Sequence, residues 1–104
     1  MTDQDRNKLE KQFHQAMVEV YDRAKSEAKY PANRFIQMVQ EKGGYETAIY
    51  LLGESSVSEE FTQLALRQRL DLTVESLIQQ TEWRSLFSED QLSIAAQRLL
   101  PSKG

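Results

Sequence analysis

The chain has 104 residues, 28% of them charged and 39% hydrophobic, enough for one globular domain that buries about 60 to 70% of the surface its unfolded form exposes. The absence of cysteine excludes disulfides, thiolate nucleophiles and sulfur-ligated zinc. A net charge of -3 argues against strong non-specific attraction to nucleic acid, which needs a surplus of Lys and Arg on one face.

The opening MTDQDRNKLEKQ carries charges where a secretion signal needs an apolar run, and no later stretch has the length of a membrane span. A cytoplasmic protein without membrane contact is the expectation. From Leu9 onward Phe13, Ala16, Met17, Val20, Tyr21, Ala24 and Ala28 recur in steps of three and four, which predicts one stripe on a helix of about seven turns. Thr2 or Asp3 is placed to cap this helix, Asp3 and Asp5 complement its dipole, and Glu19 and Arg23 have i,i+4 spacing.

Pro31 stops or restarts the chain and makes Tyr30 the hinge, because the residue before a proline avoids helical dihedrals. Phe35, Ile36, Met38 and Val39 predict a short second helix ending at Gly43-Gly44, where glycine accommodates a positive φ. A third helix follows with Tyr45, Ala48, Ile49 and Leu52 on its apolar face, leaving Tyr50 off that face. After the polar stretch GESSVSEEF, Ser58 is a candidate N-cap for a helix bearing Phe61, Leu64 and Ala65, with Glu59 and Glu60 in its first turn.

The segment RLDLTVESLI, residues 69 to 78, alternates like a strand at its start and has helical spacing at its end. With helices on both sides, Leu70 and Leu72 read as anchors of a tight turn. Asp71 or Thr73 then caps the next helix, Val74, Leu77 and Ile78 are its core face, and Glu75 lies in its first turn. In FSEDQL, Ser88 and Gln91 have the spacing of a capping box, and Phe87 with Leu92 that of a hydrophobic staple. Leu92, Ala95, Ala96 and Leu99 predict the buried face of a last helix that Pro101 ends. The fold expected for residues 1 to 104 is therefore all-α: a single compact domain of five or six helices with a long N-terminal helix.

The pattern resembles a family of short bacterial helical proteins of about this length. It is carried by Phe13, His14, Ala16, Met17 and Tyr21, by Arg34-Phe35, by Gly43-Gly44, by Trp83 with Leu86-Phe87, and above all by RLDLTVE at 69 to 75. The resemblance implies no activity, substrate or catalytic residue. Two positions depart from it: Gln68 stands where a glycine often precedes the arginine, and Ile49-Tyr50 replace more basic residues.

Arg69, Asp71 and Glu75 form the densest polar group in the sequence. They read either as a ligand or partner site or as a cap, a helix-start acid and an ion pair that fix the turn. No metal or phosphate motif accompanies them, so neither a metal nor a cofactor is expected. His14 has only Glu10 at helical spacing as an orienting acid, and the serines at 55, 56 and 58 have no nearby base. Trp83 reads as core or contact, and Tyr50 as an exposed contact.

The leading expectation is a non-enzymatic protein–protein interaction module. It would bind a protein partner through the acid-rich middle of the chain, where five acids face two bases between 54 and 80, or through the outer face of the first helix. The contact residues expected are Arg69, Asp71, Glu75, Tyr50 and Trp83. A homodimer through exposed apolar surface is a further option.

The alternative is a nucleic-acid-associated accessory protein. It would use Arg34, Lys42, Arg67 and Arg69 and a helix-turn-helix-like unit at 34 to 52, whose second helix nevertheless lacks Arg and Lys. An enzyme comes third, since it would need Asp71, Glu75 and His14 to meet in a pocket.

Overall fold

The computed structural model describes residues 2 to 100, and all of its regular structure is helical. Six α-helices run in chain order: α1 (Asp3–Glu27), α2 (Asn33–Lys42), α3 (Gly44–Gly53), α4 (Glu59–Leu66), α5 (Val74–Leu77) and α6 (Glu89–Leu99). Short 3-10 turns at Leu70–Leu72 and Arg84–Leu86 precede α5 and α6. Twenty-five residues make α1 about 37 Å long at 1.5 Å per residue, most of the 44 Å longest dimension.

Local chemistry sets the helix starts. Hydroxyl oxygens of Thr2, Ser58, Thr73 and Ser88 accept from the backbone N–H three residues on, each satisfying a donor that the first turn leaves free. At Ser88 the Gln91 side chain also reaches back to the Ser88 amide, completing the capping box. Thr73, not Asp71, caps α5, because the Asp71 carboxylate is turned to Arg69. The strand-like alternation of Leu70 and Leu72 resolves into the 3-10 turn, with Leu72 fully buried.

Two reversals are made by non-glycine residues at positive φ, the first of them displaced from the hinge expected at Tyr30. The chain reverses at Lys29 (φ 57), one residue before Tyr30, and the Tyr30 amide closes the turn onto the Ala24 carbonyl. The second reversal ends α4, where Gln68 (φ 59) takes the left-handed position of a Schellman motif. Its amide donates to Ala65 and that of Arg69 to Leu64. Glycine adopts this conformation without the strain that a side chain brings.

Phe13 and Met17 of α1 form the centre of the main core with Phe35 and Val39 of α2, Ala48, Leu51 and Leu52 of α3, and Val74, Leu77 and Ile78 from α5. Leu86, Phe87, Leu92 and Ala95 close it from the C-terminal side. A smaller cluster of Ala24, Ala28, Leu64 and Leu72 fixes α4 to the end of α1, so the single expected core has a satellite.

In α3 the buried face is rotated toward Thr47, Ala48, Leu51 and Leu52, while Tyr45 and Ile49 are half-buried. Thr47 is tolerated there because its hydroxyl donates to the Gly43 carbonyl. In α6 the expected face is buried only at Leu92 and Ala95, with Leu99 half-buried and Ala96 exposed. The predicted stop at Pro101 lies outside the described residues.

The tightest approach is between α1 and α3. A Cβ on Gly44 would lie 2.7 Å from the His14 Cα, so only glycine admits this backbone contact. Gly43, at φ 89, makes the entire turn between α2 and α3, and the Gly44 amide donates to His14 Nδ1 at 2.9 Å. No described helix is long and apolar enough to cross a membrane.

Candidate functional site

The polar residues singled out in RLDLTVE do not converge. Arg69 grips Asp71 through two hydrogen bonds of 3.0 Å and the Glu27 carboxylate at 2.6 Å, and Arg23 joins from α1 at 2.8 Å from Glu27. Arg23 thus pairs forward with Glu27, not back with Glu19. The two guanidinium groups donating to Glu27 hold its carboxyl down to about 2, and Arg69 likewise lowers Asp71. The charges in this knot neutralise one another and tie the turn to the end of α1.

Glu75 points the other way. Its carboxylate is almost wholly buried and accepts from Arg98 at 3.1 Å. The Arg98 guanidinium also donates to the Leu51 and Glu54 carbonyls at 3.1 and 2.7 Å, satisfying acceptors at the C-terminal end of α3. The expected cluster of Arg69, Asp71 and Glu75 is therefore split between a surface knot and an internal pin joining α3, α5 and α6. The extended backbone of Thr73 (φ -90, ψ 158), between the 3-10 turn and α5, separates them by breaking the helical register that puts residues four apart on one face.

His14 is also committed. It accepts the first amide of α3, and its Glu10 neighbour is drawn off by Arg6 at 3.0 Å. His14, Asp71 and Glu75 thus have three separate sets of partners, and no group of three or more metal-ligating side chains occurs among the described residues. Trp83 is half-buried, with its ring edge-on to Phe13 at 5.6 Å, a packing role at the boundary of the core.

The four cations of the nucleic-acid reading have different settings. Arg67 stands 5.1 Å over the Tyr30 ring and donates to the Ala28 and Gln63 carbonyls, and Arg69 is held in its knot. Lys42 lies 4.5 Å over the Tyr50 ring, and Arg34 lines the cleft beside it. The α2–α3 turn is one residue, shorter than the three or four of a DNA-reading helix-turn-helix.

The cleft next to Tyr50 has the makings of a contact surface. It runs between α2, the end of α3 and the start of α4, with a volume of about 160 Å³. Met38, Tyr50 and Val57 supply its apolar walls, with Tyr50 43% and Val57 37% exposed. Arg34 stands on one side, and Glu54, Glu59 and Glu60 add acid to the lining. The Glu54 carboxylate against the Tyr50 hydroxyl raises the phenol above its ordinary value.

Three features of the structure have no clear mark in the sequence: Arg98 as a link between α3 and α5, His14 as an acceptor, and Glu60 as an acid only 9% exposed. Glu60 carried the best signal, since it precedes Phe61 and lies four residues before Leu64, on the edge of the buried face. Comparison with protein-family models, curated proteins and solved structures finds no match to this chain.

Proposed function

We propose that the chain is a non-enzymatic protein–protein interaction module that receives its partner in the cleft between α2, α3 and α4. The observation carrying this reading is the pair of exposed apolar side chains, Tyr50 and Val57, on a concave surface with acidic residues at its edge. An aromatic anchor beside apolar walls and a charged rim is the composition of an interaction hot spot. Neutralised ion pairs at Arg69 and Glu75 and the hydrogen-bonded His14 support the same reading, because they leave these polar groups engaged in holding the fold together. Of the contact residues expected from sequence, Tyr50 keeps that role. Trp83, Arg69, Asp71 and Glu75 have partners within the fold and are not proposed as contacts.

The test is affinity capture from the native host with the wild-type chain and a Tyr50→Asp/Val57→Asp variant of matched thermal stability. The expected result is a protein retained by the wild type at 0.15 M and about 0.5 M salt and lost by the variant, since apolar contact resists screening. Equal retention by both chains refutes the reading. Recovery of nucleic acid that falls away steeply with salt replaces it with the accessory-protein alternative. A concentration-dependent dimer abolished by the same substitutions makes the partner a second copy.

A further inference from the structure

Glu60 is only 9% exposed, yet none of the six ion pairs among the described residues includes it, and it accepts no hydrogen bond from any described side chain or amide. Its situation contrasts with that of Glu75, which is buried against a dedicated arginine. No buried side-chain oxygen among the described residues lacks a partner, so the Glu60 carboxylate, which has none within the protein, keeps contact with solvent. On its inner side Glu60 borders a void of about 20 Å³ whose walls are mainly apolar and whose other charged residue is Glu75, a second acid. Room for a single water exists there, but no cation. On its outer side Glu60 lines the Tyr50 cleft.

We infer that the cleft is built to take a basic side chain, arginine or lysine, from the docked protein, with Glu60, an acid that has no partner within the protein, as the anion that receives it. This rests on the interaction reading above and specifies its chemistry. Three features of the cleft agree. Glu54 and Glu59 line it with Glu60, giving three acids against Arg34, so the potential at its mouth attracts a cation. Met38 and Val57 offer apolar surface to the methylene stem that a basic side chain carries. The Tyr50 ring that walls the cleft holds the Lys42 ammonium at 4.5 Å, so it attracts cations, with Lys42 occupying one of its faces.

Internal cations do not fill this role. Arg67, the guanidinium over Tyr30, spends its donors on Ala28 and Gln63. Arg34 lines the cleft without pairing with Glu60. Arg34 instead sets selectivity, as a like charge that an incoming cation must approach in one orientation.

The experiment is a two-dimensional NMR titration of the full chain with N-acetyl-arginine amide and, separately, its uncharged isostere N-acetyl-citrulline amide. The expected result is saturable shifts at the Tyr50, Val57 and Glu60 amides with the arginine probe alone. Affinity falls at least tenfold in Glu60→Gln, less than threefold in the exposed control Glu59→Gln, and rises about twofold in Arg34→Ala, where a competing charge is gone. Far-ultraviolet dichroism and unfolding midpoint verify that each variant is folded. If Glu60→Gln unfolds, Glu60→Asp takes its place, with the carboxylate withdrawn by one methylene and the same tenfold loss expected.

Indistinguishable responses to arginine and citrulline overturn the inference, as do shifts scattered over all surface acids or a folded Glu60 variant that binds as the wild type does. Protein capture lost in Tyr50→Asp/Val57→Asp together with such a negative titration leaves the docking reading standing and removes this one. A positive titration with capture indifferent to Tyr50 and Val57 does the reverse.

Discussion

Replacing Arg98 by methionine tests the internal pin most directly. The substitution keeps the length and much of the apolar volume of the side chain but leaves the Glu75 carboxylate, 4% exposed, with no counter-charge, and frees the Leu51 and Glu54 carbonyls. Removing one partner of a buried ion pair costs about 3 to 5 kcal/mol, a large share of the roughly 5 to 15 kcal/mol that holds a domain folded. For a chain of this size each kcal/mol shifts the unfolding midpoint by about 4 to 8 °C, so the loss is on the order of 20 °C. Urea unfolding followed by far-ultraviolet dichroism gives the free energy, with an unchanged slope required for a clean comparison. The double variant Arg98→Met/Glu75→Leu removes both charges and recovers most of the loss, because an apolar pair of similar volume is often as stable as the ion pair it replaces. A loss below about 1 kcal/mol in the single variant, or a double variant no better than the single, would show that Glu75 finds water in its place and that the pin is incidental.

Three further outcomes follow from the geometry. Gly44→Ala forces a methyl against the His14 backbone and is expected to cost about 1 to 3 kcal/mol by overpacking, measured in urea; a neutral result contradicts the close approach of α1 and α3. Gln68→Gly relieves a left-handed residue and is expected to stabilise by about 0.5 to 1 kcal/mol, raising the calorimetric midpoint, whereas a lowered midpoint argues against the Schellman turn. The Glu27 carboxyl lies below its ordinary 4.5, at about 2, so its contribution to stability is fully present above pH 4.5 and is lost as pH falls toward 2. Glu27→Gln flattens the stability profile across that window, and a carboxyl titration midpoint above 4 by carbon NMR would rule out the double arginine clamp.

What could be read before folding was local. Thr2, Ser58, Thr73 and Ser88 cap amides three residues away, so hydroxyl residues mark the starts of α1, α4, α5 and α6, and the three-and-four recurrence around Phe13 and Met17 marks the α1 stripe. The exposure of Tyr50 followed from its position off the α3 face. What escaped depends on partners brought together by the tertiary fold: Arg98 with Leu51 and Glu75, His14 with Gly44, and Arg67 with Ala28, separated by 47, 23, 30 and 39 residues. Spacing rules carry no information across such intervals. The same limit explains the crowding in RLDLTVE. Adjacent charges suggested one site, while the 3-10 turn and the α5 start send Asp71 and Glu75 to opposite environments.

The edge-on contact of Trp83 with Phe13, 5.6 Å between centroids, joins the segment before α6 to the middle of α1. Because the chain contains one tryptophan, its indole is a built-in optical gauge of that junction. Emission from a half-covered ring moves to the red when water reaches it, so a spectral change that precedes loss of helix on heating would reveal the C-terminal third peeling from α1 as a separate step. A simultaneous change would mark the molecule as melting in one piece.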